Sequence, residues 1–141
     1  FGTGGFEGTR RVVDVSGDGP NNHGAPVRDA RDALVEKGIT INGLPIVLLG
    51  RPSFSAFDIE GLDSYYSHCV IGGPGAFSIV IRKREEFAPA TRRKPILAIS
   101  GLLPRPRLIP VQSTGEAGEE GYDCMIGERL WQRYNDRYRI P

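Results

Sequence analysis

The sequence predicts an α/β fold built on parallel strands, and three stretches of chain carry that prediction. Arg11-Val-Val-Asp-Val-Ser16 is rich in β-branched residues, with Val12, Val13 and Val15 close together. Residues 26–38 have the spacing of an amphipathic helix, and Ile39 to Leu49 read as a second strand. A helix of about twelve residues between two strands fits a crossover and not a hairpin, which makes the order a right-handed βαβ unit.

The first strand stops at Gly17-Asp18-Gly19-Pro20-Asn21-Asn22, a dense cluster of turn residues. Pro26 then suits the first turn of a helix. Val27, Ala30 and Leu34 make its inner stripe, with Arg28, Asp29, Arg31, Asp32 and Glu36 outside. Lys37 places a cation in the last turn and Gly38 is a good terminator. In the second strand Pro45 cannot donate a ladder bond, so a bulge or strand end belongs there.

Residues 50–61 read as a loop, and Leu62 to Cys69 as a short helix carrying Tyr65 and Tyr66. The turn cluster Gly72-Gly73-Pro74-Gly75 leads into a third strand, Ala76 to Ile81. A further helix begins near Glu85 and passes Phe87 and Ala90, with Pro95 expected to kink or end it. Residues 101–121, with prolines at 104, 106 and 110, read as an extended strap. Tyr122 to Ile140 read as a final helix with Met125, Leu130, Trp131 and Tyr134 on one side. Such a helix docks back on the domain or on a partner.

Composition bounds the function. The chain has 141 residues and a mass of 15.4 kDa, the size of one ordinary domain. Eighteen Lys and Arg against seventeen Asp and Glu give a net charge of +1, which excludes a polyanion binder driven by bulk charge. Nineteen glycines and eleven prolines imply a loop-rich folded chain, below the level of low complexity. No apolar run is long enough for a membrane span. The basic stretch 82–107 includes Arg92-Arg93-Lys94 but lacks the interleaved aromatics that stack bases. It reads as a solvated face, with the acidic Glu116, Glu119 and Glu120 as candidate partners.

Chemistry concentrates after the first strand, at the usual ligand edge of an open α/β sheet. Asp18 offers carboxylate oxygens, and Ser16, Asn21 and Asn22 offer neutral ones, a set suited to Mg2+ or Ca2+. A tight turn with Asp and Asn side chains bonded to their own backbone accounts for the same residues. Gly17-Asp18-Gly19 lacks the third glycine of a dinucleotide fingerprint, and no phosphate-binding GxxxxGK[ST] loop occurs. No GxSxG is present, and His68-Cys69 is not a dyad, because sequence neighbours face apart. His23 beside the turn could be a ligand or a base, or simply exposed. Cys69 and Cys124 are either a disulfide or two buried thiols, since compartment decides. Without a CxxC, a structural zinc site is excluded as a working idea.

Three blocks resemble a known family. Arg10-Arg-Val-Val-Asp-Val-Ser-Gly-Asp-Gly-Pro-Asn-Asn22, Gly38-Ile-Thr-Ile-Asn-Gly-Leu-Pro-Ile46 and Tyr65-Tyr-Ser-His-Cys-Val-Ile-Gly-Gly-Pro-Gly-Ala-Phe77 are similar, in order, to a bacterial family of uncharacterised proteins. That family has a von Willebrand factor A-like domain and is commonly exported. The resemblance covers roughly residues 9–100, and Cys124-Met-Ile-Gly-Glu-Arg-Leu-Trp131 looks like the tail of some members.

The resemblance implies a doubly wound, mostly parallel sheet with a metal-ion-dependent adhesion site at the strand ends. Asp18 is the metal residue it carries over, with Ser16, Asn21 and Asn22 in support. The resemblance also implies an exported protein, and so a Cys69–Cys124 disulfide. Residues 1–8, a glycine-rich lead, cannot hold the domain's first strand and its Asp-x-Ser-x-Ser loop. Residues 9–100 therefore read as the C-terminal half of the domain, followed by the strap 101–121 and the helix 122–141.

The function expected is a non-enzymatic protein-binding or assembly module of the cell envelope, acting through a divalent-metal site at Asp18. A partner chain or segment would supply the missing half, with no nucleic acid and no membrane span involved. One alternative is a structural subunit without a working metal site, in which Trp131 and Tyr134 make the contact. The other is a metal-dependent hydrolase using Asp14 and Asp18.

Overall fold

The computed structural model describes residues 8, 10–48, 57–100 and 122–138. Strand β1 (Arg11–Gly17), helix α1 (Val27–Glu36) and strand β2 (Ile39–Pro45) form the expected βαβ unit. The strands pair in parallel, in register from Arg11 opposite Ile39 to Gly17 opposite Pro45. Helix α2 (Leu62–Tyr65) continues into one wider π-helical turn, Tyr66–Val70, closed by the Ile71 N–H bonded to the Tyr66 carbonyl at 3.0 Å. A 3-10 turn at Arg84–Glu86 leads into α3 (Phe87–Ser100), and α4 (Ile126–Tyr138) follows.

β2 is the centre of the molecule, and every residue from Ile39 to Pro45 is buried. Its even-numbered backbone bonds to β1, as in the Ile46 N–H to Gly17 carbonyl bond of 2.9 Å. Its odd-numbered backbone bonds to later chain. Ile41 exchanges two bonds with Gly72, and Gly43 bonds Phe77 and Ile79. The two faces of β2 are also covered. Leu44 packs with Ile81 and Ala90 of α3, while Gly43 lies against Tyr66 and Ile71. The buried Asn42 is satisfied by the Phe77 N–H, which donates to its Oδ1 at 3.2 Å.

The third strand is corrected. Residues 76–81 run alongside β2 but make only separate parallel bridges, Gly43 with Ser78 and Ile46 with Ile81. Pro45 explains the gap. Ile79 donates to the Gly43 carbonyl, Ile81 to the Pro45 carbonyl and Val47 to Ile81, each in parallel-ladder order. The missing rung would run from the nitrogen of residue 45 to Ile79, and proline has no hydrogen to give. β2 itself ends at Pro45, as the sequence indicated. Two laddered strands do not by themselves make a doubly wound sheet; the described residues establish a mixed α/β chain with a small parallel sheet.

Two further corrections concern helices. In α1 the inner stripe is Val27, Arg31, Leu34 and Val35, whereas Ala30 is exposed. Arg31 folds over Gly72, where its stem fills the space a side chain would take, and its guanidinium donates to the His68 carbonyl at 2.7 Å. In α3, Pro95 neither ends the helix nor is buried: the helix runs on to Ser100 with Pro95 facing solvent. Water can there solvate the carbonyl that loses its helical donor. The loop expected at 50–61 is described only from Phe57, where it is turn-like. The glycine-rich lead, apart from Gly8, and the strap 101–121 with its acidic run lie outside the described residues.

Candidate functional site

The turn after β1 is built from below by two tyrosines. Tyr65 and Tyr66 are buried in the main core with Leu62, Cys69, Val70 and Cys124. The Tyr66 hydroxyl sits under Gly17, where a Cβ would come within 2.9 Å of it. The Tyr65 hydroxyl accepts the Asn21 N–H at 3.1 Å. Burial pushes the Tyr66 phenol up to about 12, with Tyr65 and Asp18 adding to the effect. Burial also raises Tyr65, against the Asn21 hydrogen bond, which lowers it. Both hydroxyls therefore stay protonated and serve as fixed supports for the turn.

The sequence-predicted residues divide here. Ser16, Asp18 and Asn22 are exposed at the C-terminal edge of β1. Asn21 turns the other way. Its Nδ2 donates to the Ala25 carbonyl at 3.1 Å and to Glu128 Oε1 of α4 at 2.6 Å. Asn21 is thus the hinge pin between turn and C-terminal helix. Among the described residues, no three His, Cys, Asp or Glu side chains converge as a cation site. Asp18 is the one carboxylate of the 17–25 turn. Of the oxygen-bearing set, Asn21 is thus engaged with Ala25 and Glu128, which leaves Asp18 with Ser16 and Asn22 on the exposed side of the turn.

α4 is seated on this turn by four features. Cys124, just before it, is disulfide-bonded to Cys69, with Cα atoms 5.5 Å apart. Asp123 receives the Met125 N–H at 3.2 Å and pairs with Arg129, fixing the helix start. Gly127 lies so close to the Asn21 carbonyl that any Cβ would overlap it. Ile126 packs on the tyrosine core. Ahead of the disulfide, Tyr122 stacks on His68 at 5.1 Å and its hydroxyl donates to the Gly61 carbonyl at 3.3 Å. His68 is therefore a packing residue, its Nδ1 2.8 Å from the Ser64 carbonyl.

Beyond Gly127, α4 displays aromatic rings. Trp131, Tyr134 and Tyr138 are 37%, 39% and 61% exposed, too open for core residues. They form a ladder, Trp131 to Tyr134 at 6.1 Å and Tyr134 to Tyr138 at 4.7 Å between ring centres. Phe57 touches Trp131 and Tyr134, and His23 meets Trp131 edge-on at 6.5 Å. Trp131 and Tyr134, named from the sequence as a contact pair, thus stand beside the 17–25 turn on one surface. Sequence reasoning missed Phe57, Glu128 and Tyr138. Their roles depend on pairings far apart in the chain, Asn21 with Glu128 above all, and no local pattern marks them.

Comparison with known proteins adds one result. A family model described as a protein of unknown function (DUF1194) matches residues 1–103, a span that stops before α4. No curated protein and no solved structure matches the chain.

Proposed function

We propose that this chain, which belongs to the DUF1194 family, is a non-enzymatic protein-binding or assembly module. It works through the surface where the 17–25 turn meets α4. The observation that carries the reading is the exposed Trp131–Tyr134–Tyr138 ladder, held in place by the disulfide. Rigid aromatic rings at a surface are what protein contacts bury most profitably.

The finer reading is a von Willebrand factor A-like half-domain in the cell envelope, completed by another chain or segment. The parallel β1–β2 pair with the Asp18 turn at its C-terminal edge supports it. The Cys69–Cys124 disulfide supports an oxidising compartment, hence export. No helix among the described residues is long and apolar enough to cross a membrane. A cation at Asp18 would draw on the neighbouring Ser16 and Asn22 and on the chain or segment that completes the domain.

The test is the native size of the protein in an extract of its own cells. The wild type should migrate well above the size of its own denatured chain. Trp131→Ala with Tyr134→Ala should shift it toward the single chain, since truncating a central interface aromatic costs about 2 kcal/mol or more. Asp18→Ala with and without a chelator reports on the metal separately. A wild type already at single-chain size, or a double variant that runs like the wild type, would refute the surface.

A further inference from the structure

We infer that α4 is a separable helix seated in cis on a docking surface, and that the Cys69–Cys124 disulfide decides whether it stays there. The inference rests on the binding reading above and concerns the face of the turn that α4 covers, next to its aromatic ladder. Three independent observations point to it. The family match covers residues 1–103 and stops before α4. Within α4 only Gly127 is buried, and the helix beyond Leu130 is exposed along its length. Its polar anchor is incomplete: Glu128 Oε1 accepts from Asn21, but Oε2 is buried with no hydrogen-bond partner among the described residues.

The surface beneath has its own character. Asn21 presents an amide donor and a carbonyl that excludes any side chain, Tyr65 closes the floor, and Phe57 and His23 offer ring contacts. It fits a helix bearing glycine, then a carboxylate, then an aromatic three residues on. α4 meets that description with Gly127, Glu128 and Trp131. With α4 displaced, the same surface takes a helix of that chemistry from a partner.

The disulfide makes the seating conditional. A dithiol reductant opens it by two exchanges. One reductant thiolate attacks a cysteine sulfur, and the reductant's second thiolate then displaces the mixed disulfide. Two electrons and two protons pass to Cys69 and Cys124, and the reductant leaves as a disulfide. Cys69 is fully buried and Cys124 nearly so, so exchange follows local opening of the turn before α4.

The experiment uses the full chain, oxidised and after dithiothreitol, with Gly127→Val as an oxidised companion that pushes α4 off with the disulfide intact. Amide hydrogen exchange is read over 126–138 and over 39–45. A labelled synthetic peptide of residues 122–138 carrying Cys124→Ser is the probe in trans. The oxidised wild type should protect α4 and ignore the peptide. Reduction, and Gly127→Val, should lower α4 protection by about tenfold or more while β2 keeps its own. The opened chain should then bind the peptide, and the same peptide with Glu128→Ala about tenfold more weakly. Three results would overturn the inference: α4 protection that survives reduction, β2 protection lost together with α4 in both cases, or an opened chain that ignores the peptide. A chain of single-chain size in extracts that nonetheless releases α4 would sink the assembly reading and leave the latch standing.

Discussion

Gly43 shows how tightly single residues are fixed. A Cβ there would come within 2.8 Å of the Tyr66 ring and 2.9 Å of Ile71. Gly43→Ala should destabilise the fold by about 1–3 kcal/mol, the usual cost of overpacking, measured by urea unfolding. Tyr66 gives a pH test. Its folded pKa lies near 12, above the ordinary value of 10, because burial disfavours the phenolate. The stability tied to its neutral hydroxyl is full below pH 10 and is lost as pH rises through 12. The unfolding midpoint should therefore fall across that window, and Tyr66→Phe should flatten the fall. Asn21 marks the limit of reading residues from sequence. Its type allowed a metal ligand or a turn former, and its actual bond to Glu128 spans 107 residues. Nothing in the turn itself could indicate that partner.

At the scale of elements, β1, α1 and β2 were legible because valine runs, helical spacing and the Gly38 stop all agreed. Gly38 indeed takes a positive φ of 68°, the conformation that ends the helix cheaply. The third strand was half legible. Its apolar run placed it beside β2, but Pro45 acts across the sheet, on a rung that belongs to both strands. Pro45→Val should supply the missing donor to Ile79. The new amide should be slow in hydrogen exchange. Stability should change by less than about 1 kcal/mol, because the gained bond is offset by lost proline rigidity. In α3 the sequence left a kink or an end open at Pro95, and the helix runs past it to Ser100.

At the scale of the whole molecule, one covalent bond joins distant parts of the chain, Cys69 in the wider helical turn and Cys124 before α4. Composition left the two cysteines open, and only the family resemblance tipped them toward pairing. The bond closes a separation of 55 residues. Replacing both cysteines by serine should cost up to about 4 kcal/mol in the chain-entropy account, read as a lower denaturant midpoint. The binding surface likewise exists only in the folded whole, since it brings His23, Phe57 and Trp131 together from separate stretches.

That surface is most directly tested by a photo-reactive residue placed at Tyr134 and, as a control, at the exposed Arg92 of α3. Irradiation in intact cells, followed by mass analysis, should give one discrete protein adduct from position 134 and none from position 92. No adduct at 134, or equal labelling from both positions, would contradict a binding surface at α4.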